Sequence, residues 1–374
     1  MTLKIPNDIR NPRREVVAAA IRRDYIDIAD TPSGTAIPRI RDLARIYSVS
    51  PGTVQNAIGI LQAQGVINAL AGSGCYVSHP PPLEASPAPR ATSNTLIGLV
   101  CQVRNELTMR LQAGVDNRCR EAGDSMVTAL SEHRYEDELT QVQRAINSGC
   151  NGVIVEPSFR LHGGAEADYL CTQALPVPLV LVDMALPGRP HSQVLFDNYR
   201  AGYAMTRHLV EKGHRRIVFM EQEWHGTLLL QTSVQDRHRG YLEALQNSGL
   251  SAPAVDPLRS DEAGKHYAFG AWLKRWKAHE ARPSAVIALE DTHAAALISQ
   301  AALHGIEVPR DLEVTGFDDL SVRRTVSPGF PSVRADWELA GGIAVDLLHQ
   351  HLSGALKPPV VYMLPTTLVV PDSG

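Results

Sequence analysis

Apolar residues recur at helical spacing near the beginning of the chain, where they predict two short helices. The first apolar stripe lies in residues 37–47 and the second in residues 51–65, with Ser50 as a candidate N-cap and residues 48–49 as the turn between them. The apolar positions are Ile40, Leu43, Ala44 and Tyr47 in the first stripe and Val54, Ala57, Ile58 and Leu61 in the second. This pattern predicts a helix-turn-helix.

Two short runs of strand-forming residues follow the second helix. Residues 66–70 and 75–77 are separated by Ala71-Gly72-Ser73-Gly74, whose glycines allow a tight turn and close approach of the backbone. The pattern predicts a β-hairpin, which would be the wing of a winged helix-turn-helix. A small helical domain that binds another protein is the alternative interpretation of this segment.

Further along, a proline-rich segment separates this part of the chain from an alternating pattern of strands and helices. Residues 80–94 predict a semi-rigid linker, because proline and small polar residues exclude both a helix and a central strand. The strands predicted after it are 95–101, 125–129, 152–155, 179–182, 216–220, 285–288 and 313–315, and the helices include 109–122 and 136–148. Strands alternating with helices indicate right-handed βαβ units. We therefore expect an α/β fold with two parallel sheets and a ligand cleft facing the carboxyl ends of their strands.

Composition and charge narrow the functional class. The chain has 374 residues, of which 44% are hydrophobic and 20% charged, as is ordinary for a globular protein of two or three domains. No apolar run approaches the roughly 20 residues that span a bilayer, and the polar amino terminus lacks the apolar core of a secretion signal, so we expect a cytoplasmic protein. The first 80 residues carry a net charge of +3, against −4 for the whole chain. Positive charge near the predicted helix-turn-helix favours contact with phosphates.

Patterns for metals, disulfides and cofactors are missing from the sequence. The five cysteines form no C-x-x-C pair, and the histidines lack H-E-x-x-H spacing. No Walker motif occurs, and no G-x-G-x-x-G follows a predicted strand. We expect no metal, no cofactor and no enzyme activity. The catalytic alternative is an enzyme that uses Glu290 and Asp318 as acid and base across one bond.

Residues 10–80 resemble a GntR-type DNA-binding domain. The P-x-x-R-[DE]-L-A run of that family is matched by Pro38, Arg41, Asp42, Leu43 and Ala44, and its wing pattern by Gly72, Gly74, Tyr76 and Val77. Where the family commonly has Ser-Arg-x-Thr-Val-Arg, this chain has Ser50-Pro51-Gly52-Thr53-Val54-Gln55. Two arginines that would suit guanine are therefore missing.

Without those arginines, adenine becomes the expected base at the position that is read. Gln55 or Asn56 would suit the N6 and N7 atoms of adenine. Arg41, Ser50 and Thr53 are then candidate phosphate or mixed contacts. The DNA-binding residues that the resemblance implies are Arg41, Ser50, Thr53, Gln55, Asn56, Gly72 and Gly74.

Residues 95–372 resemble the effector domain of LacI/GalR-type repressors, which are related to periplasmic sugar-binding proteins. The matching runs are 196–202, 208–217, 237–241, 305–319 and 368–370. The two resemblances imply a winged helix-turn-helix domain at 1–79, a linker at 80–94 and an effector domain at 95–374. Within the effector domain they imply an N subdomain at about 95–211 and 333–356 and a C subdomain at about 212–332 and 357–374.

A sugar site needs carboxylates or amides that accept from hydroxyl groups, a guanidinium that donates, and an aromatic face. The resemblance makes Arg237, Glu290 and Asp318 the strongest candidates, while the residues themselves leave open that Asp318 only caps a helix and that Arg237 only pairs with a surface charge. The further candidates follow other predicted strands and are Gln102, Glu106, Asp183 and Trp224, the last of which would otherwise be an ordinary packing aromatic.

Together the resemblances imply a transcription regulator, interpreted as a repressor. It would bind a double-stranded DNA operator as a homodimer, and a small effector, a sugar in this interpretation, would control its operator affinity by closing the cleft. It would have no contact with a membrane. The alternative is a cytoplasmic sugar-binding sensor whose N-terminal domain docks on protein.

Overall fold

The computed structural model describes most of the chain in segments. They are residues 14–21, 24–25, 36–63, 67–70, 74–77, 94–158, 170, 175–184, 190–220, 222–224, 227–228, 232–253, 258–259, 268–279, 282–327 and 329–371. The predicted linker lies outside these segments except for Asn94. The chain divides into two compact units. Unit 1 comprises Met1–Val103, Gln112–Leu195 and Leu339–Met363, and unit 2 comprises Arg104–Leu111, Phe196–Glu338 and Leu364–Gly374.

Helices and strands alternate through most of both units. The helices are α1 (Arg14–Ile21), α2 (Ile40–Tyr47), α3 (Pro51–Ala63), α4 (Glu106–Ala122), α5 (Tyr135–Asn147), α6 (Asn198–Glu211), α7 (Thr232–Asn247), α8 (Phe269–Ala278), α9 (Asp291–Leu303) and α10 (Trp337–Leu352). The strands are β1 (Ala36–Ile37), β2 (Ile67–Leu70), β3 (Gly74–Val77), β4 (Leu96–Cys101), β5 (Ser125–Leu130), β6 (Gly152–Val155), β7 (Leu179–Val182), β8 (Ser192–Phe196), β9 (Ile217–Phe219), β10 (Gln222–Trp224), β11 (Thr227–Leu228), β12 (Leu258–Arg259), β13 (Ala285–Ile287), β14 (Glu313–Thr315), β15 (Ser332–Arg334), β16 (Val361–Leu364) and β17 (Thr367–Val369).

The amino-terminal part of unit 1 is a winged helix-turn-helix. Helices α1, α2 and α3 enclose an apolar core, and the predicted apolar positions are buried there, except Ile40, which is partly buried at its edge. Ser48 turns the chain between α2 and α3 with a φ of 55°. The wing strands β2 and β3 pair antiparallel, with β1 on the other side of β3.

Two details of this domain differ from the predicted pattern. Ile37, expected in the first helix, lies in β1 opposite Cys75. Pro38 therefore precedes α2, whose N-cap is Arg39, instead of occupying its first turn. A two-residue strand has no periodicity of its own, because it forms only through its pairing with β3.

The rest of unit 1 is built around a six-stranded sheet with the order β16-β8-β7-β6-β4-β5. The ladders from β5 through β4, β6 and β7 to β8 are parallel, as predicted. Strands β6 and β7 are buried along their whole length, because helices cover parallel sheets on both faces.

Unit 2 has a smaller parallel sheet with the order β14-β13-β9. The three strands are fully buried, and β15 pairs antiparallel with β17 beside them. The chain passes from one unit to the other after Val103, Leu111, Leu195, Glu338 and Met363. Helix α6 packs against α7 and belongs to unit 2, and the subdomain bounds at 211, 332 and 356 remain a prediction.

Two glycines allow α6 and α7 to approach each other closely. A Cβ atom added at Gly202 of α6 would lie 1.9 Å from the backbone oxygen of Arg237 in α7. Conversely, a Cβ atom added at Gly240 would lie 2.0 Å from the backbone oxygen of Tyr199. Both obstacles are backbone atoms in helices, so any larger residue would push the helices apart.

Replacing Gly202 with alanine should therefore lower the free energy of unfolding by about 1–3 kcal/mol, as overpacking commonly does. Gly342 of α10 is a matched control, because a Cβ atom added there meets nothing within 4 Å. Gly342→Ala should instead stabilise the protein by about 0.5–1 kcal/mol through helix propensity. Urea unfolding of the two variants measures both values, and equal changes would show that the helix contact is not tight.

Candidate functional site

Arg237 joins three separate segments of unit 2. Its Nε donates to Asn198 Oδ1 at 2.7 Å and its Nη1 donates to the carbonyl oxygen of Leu289 at 2.9 Å. Its Nη2 pairs with Asp318 Oδ1 at 3.2 Å. The guanidinium also lies over the ring of Phe317, 4.5 Å from its centroid. The sequence predicted Arg237 and Asp318 separately, and the structure brings them into contact.

Arg237 lies in the interior of a helix, α7, which begins at Thr232. Its side chain is only 12% exposed and that of Asp318 is 7% exposed, so the solvated surface pair left open by the sequence is wrong. A charge pair at this depth interacts more strongly than one in bulk water.

The segment after β14 has an unusual backbone. Asp318 and Asp319 have φ angles of 92° and 46°, in the left-handed region that non-glycine residues rarely adopt. Asp318 N–H donates to the carbonyl oxygen of Val333 at 2.7 Å, and Asp319 N–H donates to Ser332 Oγ at 3.1 Å. The Asp319 carboxylate pairs with Arg323 at 2.9 Å. Strained backbone that several contacts hold in place is typical of functional sites.

Asp291 is a buried carboxylate beneath this segment. Its Oδ1 accepts from Ser332 Oγ at 2.7 Å and its Oδ2 accepts from Leu320 N–H at 2.7 Å. Gly316 leaves the space for it, since a Cβ atom there would lie 2.3 Å from Asp291 Oδ1. Burial raises the pKa of Asp291 to about 7, although both hydrogen bonds oppose the shift.

Glu106 and Arg110 of α4 are bound to the same segment of unit 2. Glu106 Oε2 accepts from the backbone N–H and the hydroxyl group of Ser321, at 2.9 and 2.7 Å. Arg110 donates to Glu106 at 2.5 Å and to the backbone oxygen of Asp318 at 3.2 Å. Burial raises the pKa of Glu106, but these hydrogen bonds outweigh it and leave that pKa lowered. Glu106 thus lies in the first turn of a helix, where it holds the Asp318 segment.

Glu290 lies at the N-cap of α9, directly after Leu289. It accepts a hydrogen bond from Thr292 Oγ1 and lies 3.5 Å from His293 Nδ1. Its side chain is 40% exposed, so it keeps more contact with solvent than Asp318 does. Trp224 follows β9, as expected, and it lies in β10, within a small three-stranded sheet. The side chain of Trp224 is outside the described part of the structure.

The two remaining candidates belong to unit 1. Gln102 is buried directly after β4, where its Nε2 donates to the carbonyl oxygen of Pro157 at 2.8 Å and its Oε1 lies 2.9 Å from His133 Nδ1. Asp183 follows β7 with a φ of 73°. Both therefore lie at the carboxyl ends of their strands, as expected.

Sequence reasoning missed the groups that surround Arg237. Asn198 and Phe317 occur only within the matching runs 196–202 and 305–319, without an expected role. The useful signal was the position of both residues shortly after a buried strand, since Asn198 lies two residues after β8 and Phe317 two residues after β14. Asp291 was visible beside Glu290, but nothing in the sequence shows that its carboxylate is buried.

The candidate DNA-binding residues lie mostly on the surface of the winged helix-turn-helix. Arg41, Ser50, Gln55 and Asn56 are exposed, and Thr53 is half-buried. The hydroxyl group of Ser50 accepts from Thr53 N–H at 3.1 Å, which confirms its expected role as the N-cap of α3. Gly74 begins β3, and Gly72 lies outside the described residues.

Helix α3 contains no charged residue, so its exposed polar groups are neutral. Among the described residues, no group of three or more His, Cys, Asp or Glu side chains is arranged to hold a metal ion. Nor does the described part of the chain contain a helix that is long and apolar enough to cross a membrane.

Comparisons with known proteins match both parts of the chain. Residues 13–77 match the gntR family of bacterial regulatory proteins, and residues 206–373 match the periplasmic binding protein-like domain. The Arabinose metabolism transcriptional repressor of Geobacillus stearothermophilus is 25% identical over 84% of each chain. The HTH-type transcriptional regulator GalS of Salmonella typhimurium is 27% identical over 88% of this chain and 94% of its own.

Solved structures share the fold. The complex of the transcriptional regulator CelR with cellobiose covers 97% of this chain and all of its own, with a TM-score of 0.61 and 23% identity. The lac repressor dimer bound to operator and the anti-inducer ONPF has the same TM-score of 0.61 over 75% of this chain and 93% of its own, with 21% identity.

The buried carboxylate Asp291 should make stability depend on pH. Its pKa lies at about 7 in the folded protein against an ordinary value of 3.8, so the folded state retains a proton that the unfolded chain releases. The contribution of this group to the free energy of unfolding is fully present below its ordinary pKa, and it is lost as pH rises toward 7. The Asp291→Asn variant has no titrating group at this position. The melting temperature of the variant minus that of the wild type should therefore increase as pH rises from about 5 to 7, and this difference should be constant above pH 7. Parallel curves for the two proteins from about pH 5 to 8 would contradict the assignment.

Proposed function

We propose that the protein is a transcription regulator whose DNA affinity is controlled by a small ligand. The chain joins a GntR-family winged helix-turn-helix domain to a periplasmic-binding-protein-like domain. The second domain is of the kind found in LacI/GalR-type regulators. The observation that carries this proposal is the Arg237–Asp318 pair. It is a buried charge pair at the carboxyl ends of the unit 2 strands, the end at which open α/β sheets bind ligands.

The ligand in this proposal is a sugar. A guanidinium has five N–H groups, and Arg237 uses three of them for Asn198, Leu289 and Asp318. The remaining groups can donate to hydroxyl or ring oxygens of a sugar, and the carboxylates of Asp318 and Glu290 can accept from its hydroxyl groups. The names of the similar arabinose repressor and of the CelR–cellobiose complex support the same class of ligand.

The DNA end of the proposal rests on α3. Its exposed Gln55 and Asn56 present neutral amides that suit the paired donor and acceptor of adenine, and no charged side chain on α3 competes with them. The exposed Arg41 of α2 supplies charge for a phosphate. We propose that a cytoplasmic homodimer reads two half-sites in this way and acts as a repressor without catalytic activity of its own.

Asp318→Asn tests the ligand end with little change of shape. Asparagine tolerates the left-handed backbone at this position, so the fold should survive while the negative charge is lost. We expect the affinity for whichever of L-arabinose, D-galactose and cellobiose binds the wild type to fall roughly 10- to 100-fold, the range for hydrogen bonds to charged groups. Binding is measured by calorimetry.

The control for this variant is Asp116→Asn, which neutralises an exposed carboxylate paired with Arg120 in α4. It should leave sugar binding unchanged. Both variants should bind DNA without sugar as the wild type does. Unchanged sugar affinity in Asp318→Asn would remove this residue from the ligand site, and sugar turnover would show that the protein is an enzyme.

Gln55→Ala tests the DNA end. An operator is first selected from a random DNA library with the full chain, and affinities are then measured by fluorescence anisotropy at fixed salt. The variant should lose about 1–3 kcal/mol on that operator and almost nothing on unrelated DNA. Gln246→Ala, at an exposed position in α7, is the control and should bind as the wild type does. An equal loss on all sequences would make Gln55 a phosphate contact, and failure to select any operator would favour a sensor without a DNA role.

A further inference from the structure

Trp337 has a buried hydrogen-bond donor that the described residues leave unused. The side chain begins α10 and is only 4% exposed, yet its indole Nε1 has no hydrogen-bond partner among the residues that the structure describes. Trp276, also in unit 2 and equally buried, donates its indole N–H to the carbonyl oxygen of Pro283 at 2.8 Å. Buried polar groups nearly always have partners, because an unsatisfied donor carries the full cost of its lost hydration.

The position of Trp337 connects it to Arg237 through a chain of three contacts. Its ring packs at 48° against that of Phe196, with 4.9 Å between the centroids. The carbonyl oxygen of Phe196 accepts from Asn198 Nδ2 at 3.3 Å. Asn198 Oδ1 in turn accepts from Arg237 Nε at 2.7 Å. The unused donor therefore belongs to a side chain that is linked, through Phe196 and Asn198, to the guanidinium that pairs with Asp318.

We propose that the indole N–H of Trp337 donates to an oxygen of the ligand and thereby selects for a hydroxyl or ring oxygen at that position. The inference deepens the proposed function, since it rests on a polyhydroxylated ligand at Arg237 and Asp318. Indole is a donor only, so it cannot accept from a ligand N–H group. A ligand with an acceptor oxygen satisfies it, while a ligand with a methylene group at that point leaves it unsatisfied.

Trp337→Phe removes the donor and keeps an aromatic ring against Phe196. Trp276→Phe is the matched control, because it removes the same atoms from an equally buried site whose donor is already satisfied. L-Arabinose, D-galactose and cellobiose are the probes, and calorimetry and thermal unfolding are the measurements. Trp337→Phe should bind the active sugar about 3- to 10-fold more weakly, the loss of one hydrogen bond. Trp276→Phe should bind it normally but lose more thermal stability without sugar.

Monodeoxy derivatives of the active sugar separate a hydrogen bond from a packing effect. One derivative should bind the wild type about as weakly as the parent sugar binds Trp337→Phe, and the variant should not distinguish that derivative from the parent. An equal loss of affinity for the parent and every derivative would overturn the proposal, because it would indicate packing alone. Normal binding by Trp337→Phe together with weakened binding by Asp318→Asn would overturn the role of Trp337 and leave the proposed function intact. If no probe binds the wild type, both the proposed sugar ligand and the role of Trp337 are wrong.

Discussion

The guanidinium of Arg237 is the interaction on which the rest of unit 2 depends. It donates to Asn198 at the start of α6, to the backbone oxygen of Leu289 after β13, and to Asp318 after β14. The backbone oxygen of the same residue lies against Gly202, so α7 is fixed both by its side chain and by its backbone. A charge this deeply buried is tolerated only when it is paired and hydrogen-bonded, and removing one partner leaves the other uncompensated.

The same constraint explains how three carboxylates share one small region. Arg237 pairs with Asp318 and Arg323 pairs with Asp319, so these two carboxylates stay close to a positive charge. Asp291 has hydrogen bonds but no ion pair at comparable distance among the described residues, and burial therefore raises its pKa. A region held by paired charges is prearranged for polar ligands, because little reorganisation is needed when hydroxyl groups arrive.

Features that depend on neighbouring residues, such as helices and their caps, could be predicted from the sequence. Contacts between residues that are far apart in the chain could not. Helical periodicity located α2 and α3, and Ser50 was correctly predicted as a cap, because both signals lie within a few residues. Contact between Arg237 and Asp318 could not be derived from spacing, since they are 81 residues apart. The burial of Asp291 and the binding of Glu106 by Ser321 likewise depend on how the segment after β14 folds. Family resemblance identified the strongest candidates, but their hydrogen-bond and ion-pair partners are visible only in the structure.

The small ligand and the DNA operator should each change the affinity of the protein for the other. The direct test measures operator affinity with and without a saturating sugar, and sugar affinity with and without saturating operator, under the same salt. Linkage requires that the two ratios be equal, and a coupled regulator should give a ratio of about 5 to 150. Equal ratios in that range would support the account. A sugar that binds tightly but leaves operator affinity unchanged would contradict it.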